Sequence, residues 1–198
     1  MTPPTSRRLF LATASAGLCA TFLPAPALAL TPPQARQLVD GLVREINQAI
    51  ASGMGEAQMY RRFEQLFDQY SDVPTIALYT LGPAARQASP AQRQQFVAAF
   101  RSYIARKYGS RFREFIGGRI EVQDARVINN YVEVATIAYL RGEDPFRVDF
   151  HVSDRSGRAA FFNIIIEGVN MLLSERTEIG AMLDRRGGSI DALIADLR

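Results

Sequence analysis

The repeat of the apolar residues changes at Gly117-Gly118. Before this pair they recur every three or four residues, the period of a helix with one buried face. After it they recur every second residue, the period of a strand with one face turned inward. The order of the two periods predicts one α+β domain: helices first, an antiparallel meander of about four strands, then closing helices.

The helical half carries its own punctuation. Thr31 followed by Pro32 is a cap-and-proline start, and the stripe Leu38, Leu42, Val43, Ile46, Ile50 runs on to Gly53. A second helix is expected over 56–70, with Met59, Phe63, Leu66, Phe67 and Tyr70 on its apolar face. Asp72-Val73-Pro74 opens a third, ended by Gly82-Pro83. Ser89-Pro90 repeats the start signal for a long helix whose stripe is Phe96, Phe100, Tyr103, Ile104 and Tyr108, extended by Phe112 and Phe115.

Strands are expected over 120–128, 131–141, 146–152 and 159–166, separated by Asn129-Asn130, Gly142-Glu143-Asp144-Pro145 and Asp154-Arg155-Ser156-Gly157. In the third, Phe146, Val148, Phe150 and Val152 share one face and Arg147, Asp149 and His151 the other. In the fourth, Phe162, Ile164 and Ile166 share a face, while Phe161 and Ile165 make the opposite face apolar as well. Helices follow from Val169 to Arg186 and from Ser189 to Leu197.

The first 29 residues read as an address. Ser6-Arg7-Arg8-Leu9-Phe10-Leu11 fits the twin-arginine export pattern, and an apolar run follows. Ala27-Leu28-Ala29 is a small-x-small cleavage site, so the mature chain is expected to start at Leu30 in the periplasm. The run is too short for the roughly 20 residues that span a bilayer. Cleavage would remove Cys19, the single cysteine, together with Arg7 and Arg8. That leaves 21 basic against 20 acidic residues, which gives no basis for nucleic-acid binding.

Familiar catalytic patterns are missing. There is no mature thiol, no G-x-S-x-G, no P-loop and no G-x-G-x-x-G. One histidine excludes His-cluster metal chemistry. His151 and Asp149 lie two apart on one strand face and could pair as base and orienter, or belong to an ordinary polar sheet face. Arg185-Arg186-Gly187-Gly188 could cradle a phosphate or simply cap a helix. Arg111, Arg113 and Arg119, set around Phe112 and Phe115, form a loose basic stretch suited to a phosphate or membrane surface, or to a solvated helix face. What is plentiful is aromatic surface on amphipathic elements, which periodicity alone assigns to a core.

From Ser89 onward the chain resembles the MlaC family of periplasmic phospholipid-binding proteins, with the likeness thinning toward Leu30. The residues that carry it are Ser89-Pro90-Ala91-Gln92-Arg93-Gln94-Gln95-Phe96, Ala98-Ala99-Phe100-Arg101 and Lys107-Tyr108-Gly109. They continue in Pro145-Phe146-Arg147-Val148-Asp149-Phe150, in Ile166-Glu167-Gly168-Val169-Asn170-Met171, and in the ending from Gly187 to Leu197. Ala159 and Asn163 stand where the family usually has Trp and Asp, and Asn170 stands in place of Ser.

The resemblance implies a cone similar to the nuclear transport factor fold, in which a curved four-stranded antiparallel sheet and helices enclose an apolar pocket. It implies a monomeric, non-enzymatic carrier with no cofactor and with phospholipid as cargo. Its partners would be an outer-membrane lipoprotein complex and an inner-membrane ABC transporter complex, and its role the upkeep of outer-membrane lipid asymmetry. A hopanoid-associated lipid-binding protein, an enzyme and a periplasmic adaptor on the same fold are the alternatives.

Given such a pocket, the stripes nominate its walls. Phe67, Tyr70, Phe96, Phe100, Tyr103 and Ile104 are expected on the helical side, and Val134, Phe150, Val152, Phe162 and Ile164 on the sheet side.

Overall fold

The computed structural model describes residues 30–109 and 117–198. The export segment 1–29 and its cleavage site lie outside the described residues, as do Arg111, Phe112, Arg113 and Phe115.

Five helices come first: α1 (Pro32–Ala51), α2 (Glu56–Tyr70), α3 (Val73–Leu81), the single turn α4 (Ala84–Gln87) and α5 (Pro90–Gly109). Their starts are fixed by short-range bonds. Asp72 Oδ1 accepts from the Thr75 N–H at 3.2 Å. Ser89 and Gln92 make a reciprocal box, the Ser89 N–H donating to Gln92 Oε1 at 3.0 Å and the Gln92 N–H to Ser89 Oγ at 3.2 Å.

The sheet contains β1 (Arg119–Ile128), β2 (Tyr131–Tyr139), β3 (Phe146–Ser153), β4 (Ala160–Ile166) and β5 (Val169–Asn170), paired antiparallel in chain order. Helices α6 (Met171–Arg185) and α7 (Ile190–Asp196) close the chain. Five strands replace the expected four. Glu167 and Gly168 both hold positive φ, 48° and 82°, which makes a tight two-residue turn of the primed type. That turn folds Val169 back onto Ile166, so Val169 ends the sheet rather than opening the helix. Asn170 then caps α6, its Oδ1 accepting from the Leu173 N–H at 3.1 Å.

Two bulges bend the sheet. Gln123 is the extra residue of β1 opposite β2, and Phe162 the extra residue of β4 opposite β3. The second changes the inward set. Phe161 pairs with Val152 and packs on Phe150, whereas the Phe162 ring lies against Tyr131 and His151.

Helix α1 lies along the first strands. The Asn47 side-chain amide exchanges both bonds with the Ile120 backbone at 3.1 Å, standing in for a neighbouring strand. The α2–α3 junction is tied to β4, where the Asp72 N–H donates to the Phe161 carbonyl at 2.8 Å. Arg158, just before β4, reaches the carbonyl of Ser71 at 2.6 Å. These ties hold the second and third helices over one end of the sheet and leave room between them.

Candidate functional site

The room is a cavity of about 650 Å³, within the range of small-molecule sites. The α1 side chains Leu42 and Ile46, the α2 chains Phe63, Leu66 and Phe67, and Ile76 of α3 line one side. Phe100, Ile104 and Tyr108 of α5 continue that wall. Phe146, Val148 and Phe150 of β3, with Phe161 to Ile164 and Ile166 of β4, form the other. Val169 and the first turn of α6, from Met171 to Glu175 except Leu173, complete it.

Of the residues nominated from sequence, Phe67, Phe100, Ile104, Phe150, Phe162 and Ile164 border this cavity. Tyr70, Phe96, Tyr103, Val134 and Val152 do not. Phe96, Val134 and Val152 are fully buried in the packed core. Tyr70 turns toward α1, where its hydroxyl donates to Glu45 Oε1 at 2.5 Å. Tyr103 turns toward α6, donating to Glu178 Oε1 at 2.7 Å. A stripe identifies the buried face of a helix but not which part of that face meets a partner and which meets open space.

Among the residues that the nomination missed, Phe63 and Tyr108 continue the stripes of Phe67 and Ile104 at a spacing of four. Phe146 and Val148 alternate with Phe150. Those were findable by period. Glu175 was not, because nothing around an acidic residue in a helix distinguishes it from a solvated one.

A polar network crosses from α5 to α6 beside the cavity. Lys107 Nζ donates to Glu175 Oε1 at 2.7 Å and also to Glu178. The Tyr108 hydroxyl donates to the same Glu175 oxygen. Burial, and then the bond to Glu175, push the Tyr108 hydroxyl pKa up. Burial and the bond to Glu178 do the same for Tyr103. Burial works to lower the Lys107 pKa, but the bonds to Glu175 and Glu178 outweigh it, and the net shift is upward. Lys107 holds Glu178 low.

Asn163 fastens α6 to the sheet. Its Oδ1 accepts from the Leu172 N–H at 3.1 Å and from the Ile164 N–H at 2.9 Å. Its Nδ2 lies 3.4 Å from His151 Nδ1.

The opposite sheet face is polar and borders no part of the cavity apart from Phe162 and Asn163. His151 Nε2 lies 3.6 Å from Glu133 Oε2. Asp149 accepts from Arg147 Nε at 2.8 Å on both oxygens, and the carboxylate set against the His151 ring nitrogen is that of Glu133. Desolvation holds the His151 pKa below its ordinary value, against the pull of Glu133 and Asp149.

The described arginines Arg119 and Arg186 of the two basic sequences make local contacts. Arg119 sits 2.7 Å from Glu121 Oε1 and over the Tyr139 ring. Arg186 grips Asp196 at 2.7 and 2.6 Å, and the Gly188 N–H caps the Leu183 carbonyl at 3.0 Å.

Among the described residues no group of three or more His, Cys, Asp and Glu side chains could hold a metal ion. No helix among them is long and apolar enough to cross a membrane. The arrangement is suited to enclosing an apolar ligand.

Among solved structures, the fold is similar to that of a phospholipid-binding protein from Ralstonia solanacearum, determined in complex with a phospholipid. The likeness has a TM-score of 0.71 at 20% sequence identity and covers 82% of this chain and 94% of that one. The sequence itself matches the family model described as MlaC protein over residues 36–198, and the chain therefore belongs to the MlaC family.

Proposed function

We propose that this protein is a periplasmic phospholipid carrier, with no catalytic role, that takes lipid between an outer-membrane lipoprotein complex and an inner-membrane ABC transporter complex. The observation that carries the reading is the 650 Å³ cavity with aromatic and aliphatic walls from α1, α2, α5, β3 and β4. Family membership and the phospholipid bound to the Ralstonia relative support it. The twin-arginine segment, cleaved before Leu30, would deliver the chain to the periplasm.

The energetics suit a shuttle. Each methylene removed from water contributes roughly 0.8 kcal/mol, in a protein cavity or in a bilayer. Apolar walls therefore approximately match the membrane, and cargo moves either way at little net cost. The headgroup would stay in water, beside the exposed lining residues Glu143 and Glu167.

The test is organic extraction of the purified mature chain followed by mass spectrometry, with thermal melting before and after delipidation. Phospholipid near one equivalent is expected. Removing it should lower Tm, since a ligand held at about 100 times its Kd stabilises by about 2.7 kcal/mol. Hopanoid in place of phospholipid would replace the cargo. Absence of any lipid, together with affinity for peptide, would replace the carrier with an adaptor.

A further inference from the structure

Asn163 is a buried link between the polar sheet face and one wall of the cavity. The first turn of α6 leaves backbone N–H groups without helical partners. Asn170 Oδ1 takes that of Leu173 at 3.1 Å, and Asn163 Oδ1 takes that of Leu172 at 3.1 Å. Met171 and Leu172 of this turn line the cavity, so Asn163 holds part of the wall in place.

The backbone also fixes which way the Asn163 amide faces. Its Oδ1 is committed to the Leu172 and Ile164 N–H groups, so Nδ2 is the atom that meets His151 Nδ1, 3.4 Å away across the β3–β4 pair. An amide nitrogen only donates, so Nδ1 accepts and the ring proton sits on Nε2. Nε2 faces Glu133 Oε2 at 3.6 Å. The neutral ring is therefore the form that fits. A second proton goes onto Nδ1 and sets N–H against N–H. Turning the amide over offers Oδ1 to the imidazolium, but only by giving up both backbone bonds, the one to Leu172 included.

The groups around the ring are balanced. Glu133 of β2 and Asp149 of β3 favour the imidazolium. Arg126 of β1 holds Glu133 at 2.7 Å and Arg147 holds Asp149 at 2.8 Å, which spends much of that attraction. The rings of Tyr131 and Phe162 lie 4.5 and 6.0 Å from the imidazole and shield it. The residue is 9% exposed, so protons still reach it.

We propose that neutral His151 holds the α6 wall of the cavity in place through Asn163, and that protonation of the ring loosens this wall and speeds exchange of the cargo. The cargo half of this rests on the carrier reading. The coupling of the ring to α6 does not.

Two measurements test it on the purified mature chain. In an NMR titration downward from pH 7.5, the Leu172 amide and the Asn163 side-chain amide should shift with the same midpoint as the His151 ring. Protein loaded with phosphatidylethanolamine is then mixed with excess phosphatidylcholine vesicles, whose headgroup charge is constant over this range, and the lipid retained is read by mass spectrometry. Exchange should be about fivefold faster one pH unit below the ring's midpoint than one unit above it, the effect of losing about one hydrogen bond. His151→Gln stays neutral, and its ratio should fall to within about twofold of unity. Asn163→Asp accepts from both the backbone and the imidazolium, so acid should no longer speed its exchange.

A wild-type ratio near unity overturns the switch, as does a fivefold ratio that survives in either variant. A Leu172 amide that ignores the ring, or a ring that stays neutral until the chain unfolds in acid, overturns it as well, and these readings need no variant to fold. Failure of the carrier reading looks different, because no lipid is then loaded at any pH while the NMR titration still tests the coupling.

Discussion

The rings of Phe150 and Phe161 meet edge to face, with centroids 5.6 Å apart and planes at 73°. Phe67 of α2 joins them, 6.3 Å from Phe161, so helix and sheet close this end of the cavity with three aromatic rings. The contact exists because the bulge at Phe162 turns Phe161 inward. Phe161→Ala should therefore destabilise by about 3 kcal/mol and reduce bound lipid. Phe162→Ala removes a ring packed on Tyr131 and His151 and should cost about 1 kcal/mol. Chemical denaturation beside lipid content measures both, and the opposite ranking would make Phe162 rather than Phe161 the main aromatic ring of that wall.

Phe96 and Phe100 are neighbouring rings on α5, both fully buried, and only Phe100 borders the cavity. A carboxylate at the first site has no route to water, whereas at the second the cavity can admit it. Phe96→Asp should abolish folding. Phe100→Asp should fold with a lowered Tm and bind little or no lipid, after an uncompensated cost of several kcal/mol. Circular dichroism melting with mass spectrometry separates the two. A folded Phe100→Asp that keeps its full lipid would remove Phe100 from the wall.

The polar groups set a window of stability in pH. Burial, and then the bond to Glu45, raise the Tyr70 pKa from 10.0 to about 12. The folded state thus keeps a proton that the unfolded chain releases, and this contribution is complete below pH 10 and lost as pH rises through 12. The His151 pKa is depressed below 6.5 by desolvation. Its contribution is present above pH 6.5 and is lost as pH falls through the folded value, because the unfolded chain then binds the extra proton. In Tm measured from pH 5 to 11, Tyr70→Phe should flatten the alkaline fall and His151→Gln the first part of the acid fall. Unchanged limbs would mean that other groups govern them.

Export is expected to depend on the arginine pair. Arg7→Lys combined with Arg8→Lys keeps the charge but removes both guanidinium forks, and the twin-arginine route reads the forks. Mature protein should disappear from the periplasmic fraction. Normal accumulation would assign the chain to the general secretory route, and an N-terminal residue other than Leu30 would move the cleavage site.

The sequence by itself determined the main elements and their order, though not the short α4 and β5. Thr31-Pro32, Asp72-Val73-Pro74 and Ser89-Pro90 fix helix starts through bonds that span three residues or fewer, and Asn129-Asn130 marks a turn in which Asn129 takes a positive φ of 52°. The periods of 3.6 and 2 separate the two halves because side-chain direction follows from backbone geometry alone. For the same reason Phe67, Phe100, Ile104, Phe150 and Ile164 were legible as inward-facing residues.

The tertiary structure decided where inward-facing residues meet each other and where they meet empty space. Val134 and Val152 alternate as correctly as Phe150 but are filled over as core, while Phe150 borders the cavity. Tyr70 and Tyr103 lie on the right stripes and are drawn aside by Glu45 and Glu178, 25 and 75 residues away in the chain. The bulge that exchanges Phe161 for Phe162 is a mismatch in length between two paired strands, a property of neither strand alone. Glu175 faces the cavity because Lys107 and Tyr108 reach it from another helix. A cavity is a volume left over when distant elements stop short of contact, and no local pattern encodes it.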